Sequence, residues 1–197
     1  MCGLTGFHNK QNLPAEEFKQ ILNNMNNALS HRGPDGEGVW FDADSGVGLG
    51  HRRLSILDLS KNGHQPMISK NGSLVIVFNG EIYNHQQLRI GLNPSNWSGS
   101  SDTETLIECI SRYGIDKTLS MVRGMFAFAL WNKKTGELIL ARDRYGEKPL
   151  YYGMVNGTFM FASELKSLTN HPAFAKEIDR ESLSAFLKFS YIPAPRS

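Results

Sequence analysis

The chain has 197 residues, of which 40% are hydrophobic and 20% charged, and its 21 basic and 19 acidic residues leave a formal charge of +2. This composition is typical of one compact globular domain and too apolar for a disordered chain. Neither a Lys/Arg run nor an apolar run of roughly 18 residues occurs, so we expect no nucleic-acid partner and no membrane partner.

The first ten residues, MCGLTGFHNK, lack the charged start and apolar core of a signal peptide. We therefore expect a cytoplasmic protein. A disulfide between Cys2 and Cys109 is not expected in that reducing compartment.

Apolar residues three and four positions apart predict an amphipathic helix over 14–30, with Pro14 in its first turn. A loop, HRGPDGEG (31–38), follows. The β-rich runs separated by short turns predict antiparallel hairpins. These runs are 48–59, 73–84, 125–132, 137–144, 149–155 and 158–163.

A second helix is predicted over 103–113, because Ser101 and Glu104 form an S-x-x-E capping pattern and Gly114 can end the helix. Cys109 lies beside the buried face of this helix and is predicted to be a small buried thiol. A last helix is predicted over 179–190. The elements together indicate a mixed α+β domain with helices packed on two largely antiparallel sheets.

Cys2 is a candidate nucleophile. Removal of Met1 would leave its thiol beside a free α-amine, whose pKa of about 7.7–8.0 suits a general base near neutral pH. The alternative is that Cys2 is an incidental second residue, because the pattern Met-Cys-Gly is too short to stand by itself.

Asn79 and Gly80 follow the apolar run SLVIVF. A side-chain amide and a backbone N–H at a strand end can together hold the oxyanion of a tetrahedral intermediate. The alternative is an ordinary Asn-Gly hairpin turn.

Arg53 lies in the strand-like segment GHRRLSILD, where alternation would place Arg53, Ser55 and Leu57 on one face. An inward guanidinium could bind the α-carboxylate of a substrate. The alternative is a surface ion pair. Arg52 is predicted to face water.

Asp102 begins the second predicted helix, where it could cap the helix or bind a substrate α-ammonium group. Glu81 could assist in that binding, since a buried carboxylate needs a partner. The six histidines are scattered, so no metal site is predicted.

Eight sequence blocks occur in an order that resembles the N-terminal glutaminase domain of glutamine-hydrolysing asparagine synthetases. The blocks are MCGLTGF, HRGPDGEG, GHRRLSILDLS, VFNGEIYNH, SDTETL, RGMFAFALW, ARDRYGEKPLYY and FASELKSL. The resemblance implies a class II glutamine amidotransferase with the four-layer αββα sandwich of N-terminal-nucleophile hydrolases. Position 100 is Ser, where the family more often has His, and the segment 85–100 is short.

The resemblance also implies residue roles. Cys2 would be the nucleophile, and Asn79 with Gly80 would form the oxyanion hole. The glutamine carboxylate would bind Arg53, beside a wall shaped by the backbone of three apolar residues, and the amino group would bind two carboxylates. These residues are Leu54, Ile56 and Leu57 for the wall, and Glu81 and Asp102 for the amino group.

The resemblance implies two regions, a glutamine amidotransferase domain over 1–178 and a linker with the start of a synthetase domain over 179–197. The family's SGGxDS-type loop for ATP is absent. No cofactor is therefore expected for the glutaminase domain, and ATP and Mg²⁺ are expected only in a synthetase domain outside this chain. That domain would receive the ammonia for aspartate amidation. A homodimer is a further partner expectation.

Three other functions stay open at this point. The domain could be a scaffold that turns over weakly, or it could supply ammonia to another acceptor such as a polysaccharide precursor. Another N-terminal-nucleophile hydrolase, such as an acylase, would need no Arg53 for an α-carboxylate.

Overall fold

The computed structural model of the chain describes residues 1–10, 13–92 and 97–194. Within these ranges the strands are β1 (Gly3–Asn9), β2 (Gly36–Asp42), β3 (Val47–Arg53), β4 (Met67–Ile68), β5 (Leu74–Ile82), β6 (Gly124–Asn132), β7 (Glu137–Arg142), β8 (Tyr151–Val155) and β9 (Thr158–Ala162). The α-helices are α1 (Ala15–Asn27), α2 (His85–Leu92), α3 (Asp102–Tyr113), α4 (Ile115–Met121), α5 (Leu165–Leu168) and α6 (Arg180–Phe189).

The strands form two antiparallel sheets. The first has the order β2-β3-β1-β9-β8 and the second the order β4-β5-β6-β7. Alternate side chains of each sheet face the other sheet and close a central core that includes Leu4, Leu49, Val77 and Ala129. The predicted four-layer αββα sandwich is confirmed, because a helical layer covers each outer face.

The outer layers follow from two amphipathic helices. Helix α1 buries Phe18 and Leu22 against the first sheet, and α3 buries Leu106 and Ile107 against the second. Their predicted positions are confirmed to within a few residues. At α3 the hydroxyl of Ser101 accepts a hydrogen bond from the Glu104 N–H. Pro14 is the N-cap residue of α1 rather than part of its first turn.

The predicted strand over 48–59 is too long, since β3 ends at Arg53 and the chain is irregular beyond it. Strands β1, β2 and β4 and helices α2, α4 and α5 were not predicted. Strand β1 was missed because it contains two glycines, a residue depleted in strands. Gly6 is required there, since a Cβ would lie 2.4 Å from both the Gly48 carbonyl oxygen and the Phe161 ring.

Both cysteines are free thiols, and burial raises the pKa of the Cys109 thiol to about 11. In the part of the chain that the structure describes, no helix has the length and apolar character to cross a membrane.

Candidate active site

One pocket opens where the start of β1, the end of β3, the middle of β5 and the first turn of α3 meet. All nine residues singled out in the sequence line it. They are Cys2, Arg53, Leu54, Ile56, Leu57, Asn79, Gly80, Glu81 and Asp102. The nine come from segments up to 100 residues apart, so their convergence is a property of the fold and not of one motif.

Cys2 lies directly before β1, with its thiol half-buried in the pocket. The Sγ atom is 3.3 Å from the Leu54 backbone nitrogen and 3.5 Å from the Leu54 carbonyl oxygen. Burial raises the pKa of this thiol more than the Leu54 N–H lowers it. The thiol is therefore protonated at neutral pH and needs a base before it can attack. Met1 still precedes Cys2 and also lines the pocket.

Asn79 and Gly80 lie inside β5, so the hairpin-turn alternative for this pair is wrong. The Asn79 side chain is 2% exposed, and its Nδ2 has no hydrogen-bond partner among the described residues. A buried donor without a partner is costly. Because Asn79 lines the same pocket as Cys2, this N–H group is available to donate a hydrogen bond to an oxygen of a ligand.

Gly80 approaches β6 too closely for any side chain, since a Cβ would lie 2.2 Å from the Met125 carbonyl oxygen. Strand β5 pairs with β6 through its odd-numbered residues and with β4 through its even-numbered ones. Because β4 ends opposite Val75 and Ile76, the Gly80 N–H faces the open edge of β5 at the pocket.

Arg53 is the last residue of β3 and reaches the pocket wall, where its guanidinium donates to the backbone carbonyls of Asp58 and Ser60. Within the described ranges no carboxylate lies at ion-pair distance from Arg53, so the surface ion-pair alternative is wrong. The alternation argument also fails beyond Arg53, because Ser55 and Leu57 do not belong to a strand.

Arg52 does not project freely into water, as the sequence predicted. Its side chain pairs with Glu37 at 2.6 Å and donates to the Asn26 carbonyl oxygen at 3.2 Å, at the end of α1. The two neighbouring arginines therefore have different partners, one at the helix and one at the pocket.

The apolar wall of the pocket is the irregular segment after β3. Leu54 contributes the backbone amide that contacts Cys2. Ile56 and Leu57 are 72% and 45% exposed, respectively, so their side chains partly face solvent beside the pocket.

The carboxylate of Asp102 is buried and accepts a hydrogen bond from the Ile82 N–H at 2.8 Å. Burial raises the pKa of Asp102 to about 6, and Glu81 adds to the rise as a neighbouring negative charge. Asp102 thus caps the open edge of β5 from the first turn of α3. An ammonium group placed between Asp102 and Glu81 would neutralise two neighbouring carboxylates.

Arg32 supports Cys2 from outside the pocket, a role that was not predicted although its motif HRGPDGEG stands out in the sequence. Its Nε donates to the carbonyl oxygen of Cys2 at 2.9 Å, and its Nη1 donates to Glu164 at 3.0 Å. Burial alone would raise the pKa of Glu164, but hydrogen bonds from Arg32, His31 and Lys166 lower it to about 2. The ionised Glu164 therefore holds Arg32, and Arg32 holds the backbone of Cys2.

Asp58 was also missed, and it joins two loops beside the pocket. Its Oδ1 accepts the Ser60 N–H and its Oδ2 the Ser100 N–H, both at 2.8 Å. Hydrogen bonds from Ser60 and from the Ser100 backbone lower the pKa of Asp58 to about 2, against the effect of burial. The ionised carboxylate therefore ties the segment after β3 to the segment before α3.

The pocket places groups of different chemistry at its different walls. A thiol, the Asn79 amide group and the Gly80 N–H line the pocket at β1 and β5, a guanidinium lies at β3, and two carboxylates lie near α3. This arrangement suits an amino acid whose side chain ends in a carbonyl group that a thiol can attack.

Comparisons with known proteins point to the same chemistry. The glutamine amidotransferase domain family matches the chain over residues 1–197. Asparagine synthetase [glutamine-hydrolyzing] 1 of Bacillus subtilis is 41% identical over 99% of this chain and 30% of its own length. A putative asparagine synthetase [glutamine-hydrolyzing] 2 of Methanocaldococcus jannaschii is 36% identical over 100% of this chain and 41% of its own length.

Another relative, amidase chry2 of Gibberella zeae, is 39% identical over 85% of this chain and 26% of its own length. Among solved structures, the glutamine phosphoribosylpyrophosphate amidotransferase of B. subtilis superposes with a TM-score of 0.71 at 26% identity, covering 87% of this chain and 44% of that one. The chain thus spans between about a quarter and two fifths of the length of these curated relatives.

Proposed function

Since this chain belongs to the glutamine amidotransferase domain family, we propose that it hydrolyses L-glutamine to glutamate and ammonia with the thiol of Cys2. The unpartnered Nδ2 of Asn79 is the observation that carries the proposal, because it is a buried donor in the same pocket as the candidate nucleophile. An oxyanion formed on the glutamine side chain would supply the missing acceptor.

The reaction begins after Met1 is removed and the α-amine of Cys2 is free. This amine takes the thiol proton, and the thiolate attacks the side-chain carbonyl carbon of glutamine. Asn79 Nδ2 and the Gly80 N–H hold the resulting oxyanion. The α-ammonium then returns its proton to the leaving nitrogen, the C–N bond breaks, and ammonia departs.

The product of this first half is a γ-glutamyl thioester on Cys2. The α-amine next takes a proton from water, and the hydroxide attacks the thioester carbonyl carbon in the same oxyanion hole. Breakage of the C–S bond releases glutamate, and the ammonium proton restores the thiol. Arg53 would hold the glutamine carboxylate throughout, and Asp102 with Glu81 would hold its ammonium group.

We also propose that the ammonia serves asparagine synthesis, since several relatives of this chain are asparagine synthetases. Aspartate amidation, with its ATP and Mg²⁺, would take place in a C-terminal synthetase domain outside this chain, and residues 179–197 would lead into that domain. The amidase relative supports a second candidate, transfer of the ammonia to another acceptor. A cytoplasmic location, to which two free cysteines are suited, and a homodimer belong to the same proposal.

Replacement of the nucleophile tests the central step. Glutamate release from L-glutamine without ATP is measured for the chain that begins at Cys2 and for its Cys2→Ala variant. We expect release by the first and none above background by the second. A folded chain that begins at Cys2 and releases no glutamate would contradict the glutaminase assignment and favour a scaffold role.

Replacement of Arg53 distinguishes glutamine hydrolysis from an acylase activity, because only glutamine hydrolysis needs a guanidinium for the α-carboxylate. Loss of a hydrogen-bonded charged partner costs about 1.5–3 kcal/mol, so Arg53→Ala should raise the KM for glutamine by about 10- to 150-fold. Arg52→Ala is the matched control, since it removes a neighbouring arginine whose partners lie at the end of α1 and on β2 and not in the pocket. It should lower the free energy of unfolding and leave the KM unchanged. An unchanged KM in Arg53→Ala would remove Arg53 from the substrate site.

A further inference from the structure

The edge of β5 lacks a neighbouring strand along the part that forms the oxyanion hole. Strand β4 has only two residues, Met67 and Ile68, and they pair with Ile76 and Val75. Beyond Ile76 the even-numbered residues of β5 direct their N–H and C=O groups toward this open edge. Buried backbone groups without partners are costly, so other groups must satisfy them.

Two side chains take the place of the missing strand at Phe78. The Oε1 of Gln65 accepts the Phe78 N–H at 2.6 Å, and the Nε2 of His51 lies 3.0 Å from the Phe78 carbonyl oxygen. Both side chains are deeply buried, with His51 1% and Gln65 5% exposed. The amide nitrogen of Gln65 also donates to Thr103 Oγ1 at 3.2 Å, which fixes the orientation of Gln65.

The protonation of His51 follows from its contacts. A carbonyl oxygen can only accept, so Nε2 carries the proton and donates to Phe78. Burial lowers the pKa of His51 to about 3, so the ring is neutral in the physiological range. Its Nδ1 has no partner among the described residues. His51 is therefore a fixed donor directed at the backbone of β5, and not a base directed at Cys2.

The Phe78 contacts lie directly beside the oxyanion donors. The Phe78 carbonyl belongs to the peptide bond that leads to Asn79, and Gly80 follows. On the far side, Asp102 accepts the Ile82 N–H. The open edge is thus held at Phe78 and at Ile82, and Gly80 between them directs its N–H into the pocket.

We propose that His51 and Gln65 are positioning residues of the glutaminase reaction, which hold the Phe78 peptide so that Asn79 Nδ2 and the Gly80 N–H stay aligned on the oxyanion. This inference rests on the proposed function. His51 comes from β3 of the first sheet, so its hydrogen bond fixes the oxyanion strand relative to the sheet that carries Cys2. The geometry of the hole then depends on two side chains that do not donate to the oxyanion.

The test compares kcat with KM in His51→Leu and Gln65→Met, which keep similar volumes but cannot hydrogen-bond with Phe78. Because the oxyanion forms only in the transition state, we expect kcat to fall about 10- to 100-fold while KM stays within about threefold. His51→Gln, which can place an amide N–H near the position of Nε2, should recover most of the lost kcat.

A second readout uses the aldehyde of glutamate, L-glutamate γ-semialdehyde, whose thiohemiacetal with Cys2 places an oxygen in the hole. Its affinity should fall by the same factor as kcat in His51→Leu and Gln65→Met. The affinity for L-glutamate, which forms no tetrahedral centre, should not change. If His51 and Gln65 served only the stability of the fold, their replacement would change the affinities for the aldehyde and for L-glutamate alike.

His171→Leu is the matched control for buried imidazoles. His171 is 3% exposed and packs against Phe7 between the first sheet and α1, and its Nδ1 accepts the Ala173 N–H. Its replacement should lower the unfolding temperature and leave the kcat of the folded fraction unchanged. Wild-type kcat in both His51→Leu and Gln65→Met would overturn the proposal.

Folding is followed by thermal unfolding for every variant, and Gln65→Met decides the question if His51→Leu does not fold. Failure of both to fold would assign the pair to the core and also overturn the proposal. A wild-type chain without Cys2-dependent turnover would instead remove the proposed function, a result that the wild-type measurement gives separately.

Discussion

The carboxyl group of Asp102 is 5% exposed, and burial raises its pKa from 3.8 to about 6 in spite of the hydrogen bond from Ile82. The folded chain therefore binds a proton at Asp102 more tightly than the unfolded chain does. Below pH 4 the carboxyl group is protonated in both states and costs nothing. Stability is then lost as the pH rises from about 4 through 6, and the loss is complete above this window.

Replacement of Asp102 should therefore stabilise the free chain and weaken substrate binding. A pKa rise from 3.8 to about 6 corresponds to at most about 3 kcal/mol at pH 7 and less than about 1 kcal/mol at pH 4. Asp102→Asn, which can still accept the Ile82 N–H, should gain this free energy of unfolding in urea titrations at pH 7. It should also raise the KM for glutamine, because a neutral amide cannot pair with the ammonium group.

Asp116→Asn is the control for this prediction, since Asp116 is exposed in the first turn of α4. It should leave the KM unchanged and lower the free energy of unfolding by no more than about 1 kcal/mol, the size of a charge effect at a helix N-terminus. A pH-independent gain in Asp102→Asn would show that the effect does not come from ionisation of the carboxyl group.

The candidate site could be predicted from sequence at the level of residue types but not of contacts. Cys2, Asn79 and Arg53 are chemically distinctive residues in recognisable motifs, and the structure brings all three to one pocket. The partners of Arg52 and Arg53 were not predictable, because they depend on α1 and on an irregular loop. The support of Cys2 by Arg32 joins residues 30 positions apart and has no local signal.

At the scale of elements, two loops meet over the pocket through Asp58. The segment after β3 also accepts both hydrogen bonds from Arg53, so its position is tied to the residue proposed to bind the glutamine carboxylate. The other segment that Asp58 contacts, 97–101, is also held by Glu104, whose carboxylate accepts hydrogen bonds from the backbone N–H groups of Ser98 and Gly99. Asp58 therefore links the exposed segment after β3 to the segment before α3, which Glu104 also holds.

Asp58→Ala should free the segment after β3 without unfolding the sheets. Loss of two hydrogen bonds to a charged group should raise the KM for glutamine about tenfold or more. Chymotrypsin should also cleave faster at the exposed Leu57 and Leu59. Asp44→Ala, in the turn between β2 and β3, is the matched control and should change neither property. An unchanged KM together with unchanged cleavage would contradict the role of Asp58.

Helices and strands could be predicted where one spacing of apolar residues dominates the segment. Helices α1 and α3 have clear amphipathic patterns with end signals, and the structure has α1, α3 and α6 within three residues of the predicted bounds. Strands β1 and β2 were missed because Gly6, Gly36 and Gly38 weaken the strand pattern, although tertiary packing requires glycine at Gly6 and Gly38. A Cβ at Gly38 would lie 2.1 Å from the Gln65 carbonyl oxygen.

At the scale of the whole molecule, α6 differs from the other long helices. Of its ten residues only Ser182 is buried, and Leu183, Phe186 and Leu187 are 42%, 49% and 76% exposed, respectively. Helices α1 and α3, in contrast, bury their apolar faces against the outer faces of the first and second sheets, respectively. Helix α6 therefore adds little burial to the sandwich, which agrees with the proposed boundary between residues 178 and 179.

Removal of residues 179–197 should consequently leave the sandwich and its proposed glutaminase activity intact. Because apolar burial supplies most of the folding free energy, a helix that buries almost none should change the unfolding temperature by no more than about 2 °C. Thermal unfolding and glutamate release are measured for the chain ending at Ile178 and for the chain of 197 residues. The control is Leu22→Ala, which removes a fully buried side chain of α1 and should cost about 2–5 kcal/mol. A truncated chain that unfolds as readily as this control would place α6 within the amidotransferase domain and move the boundary beyond residue 189.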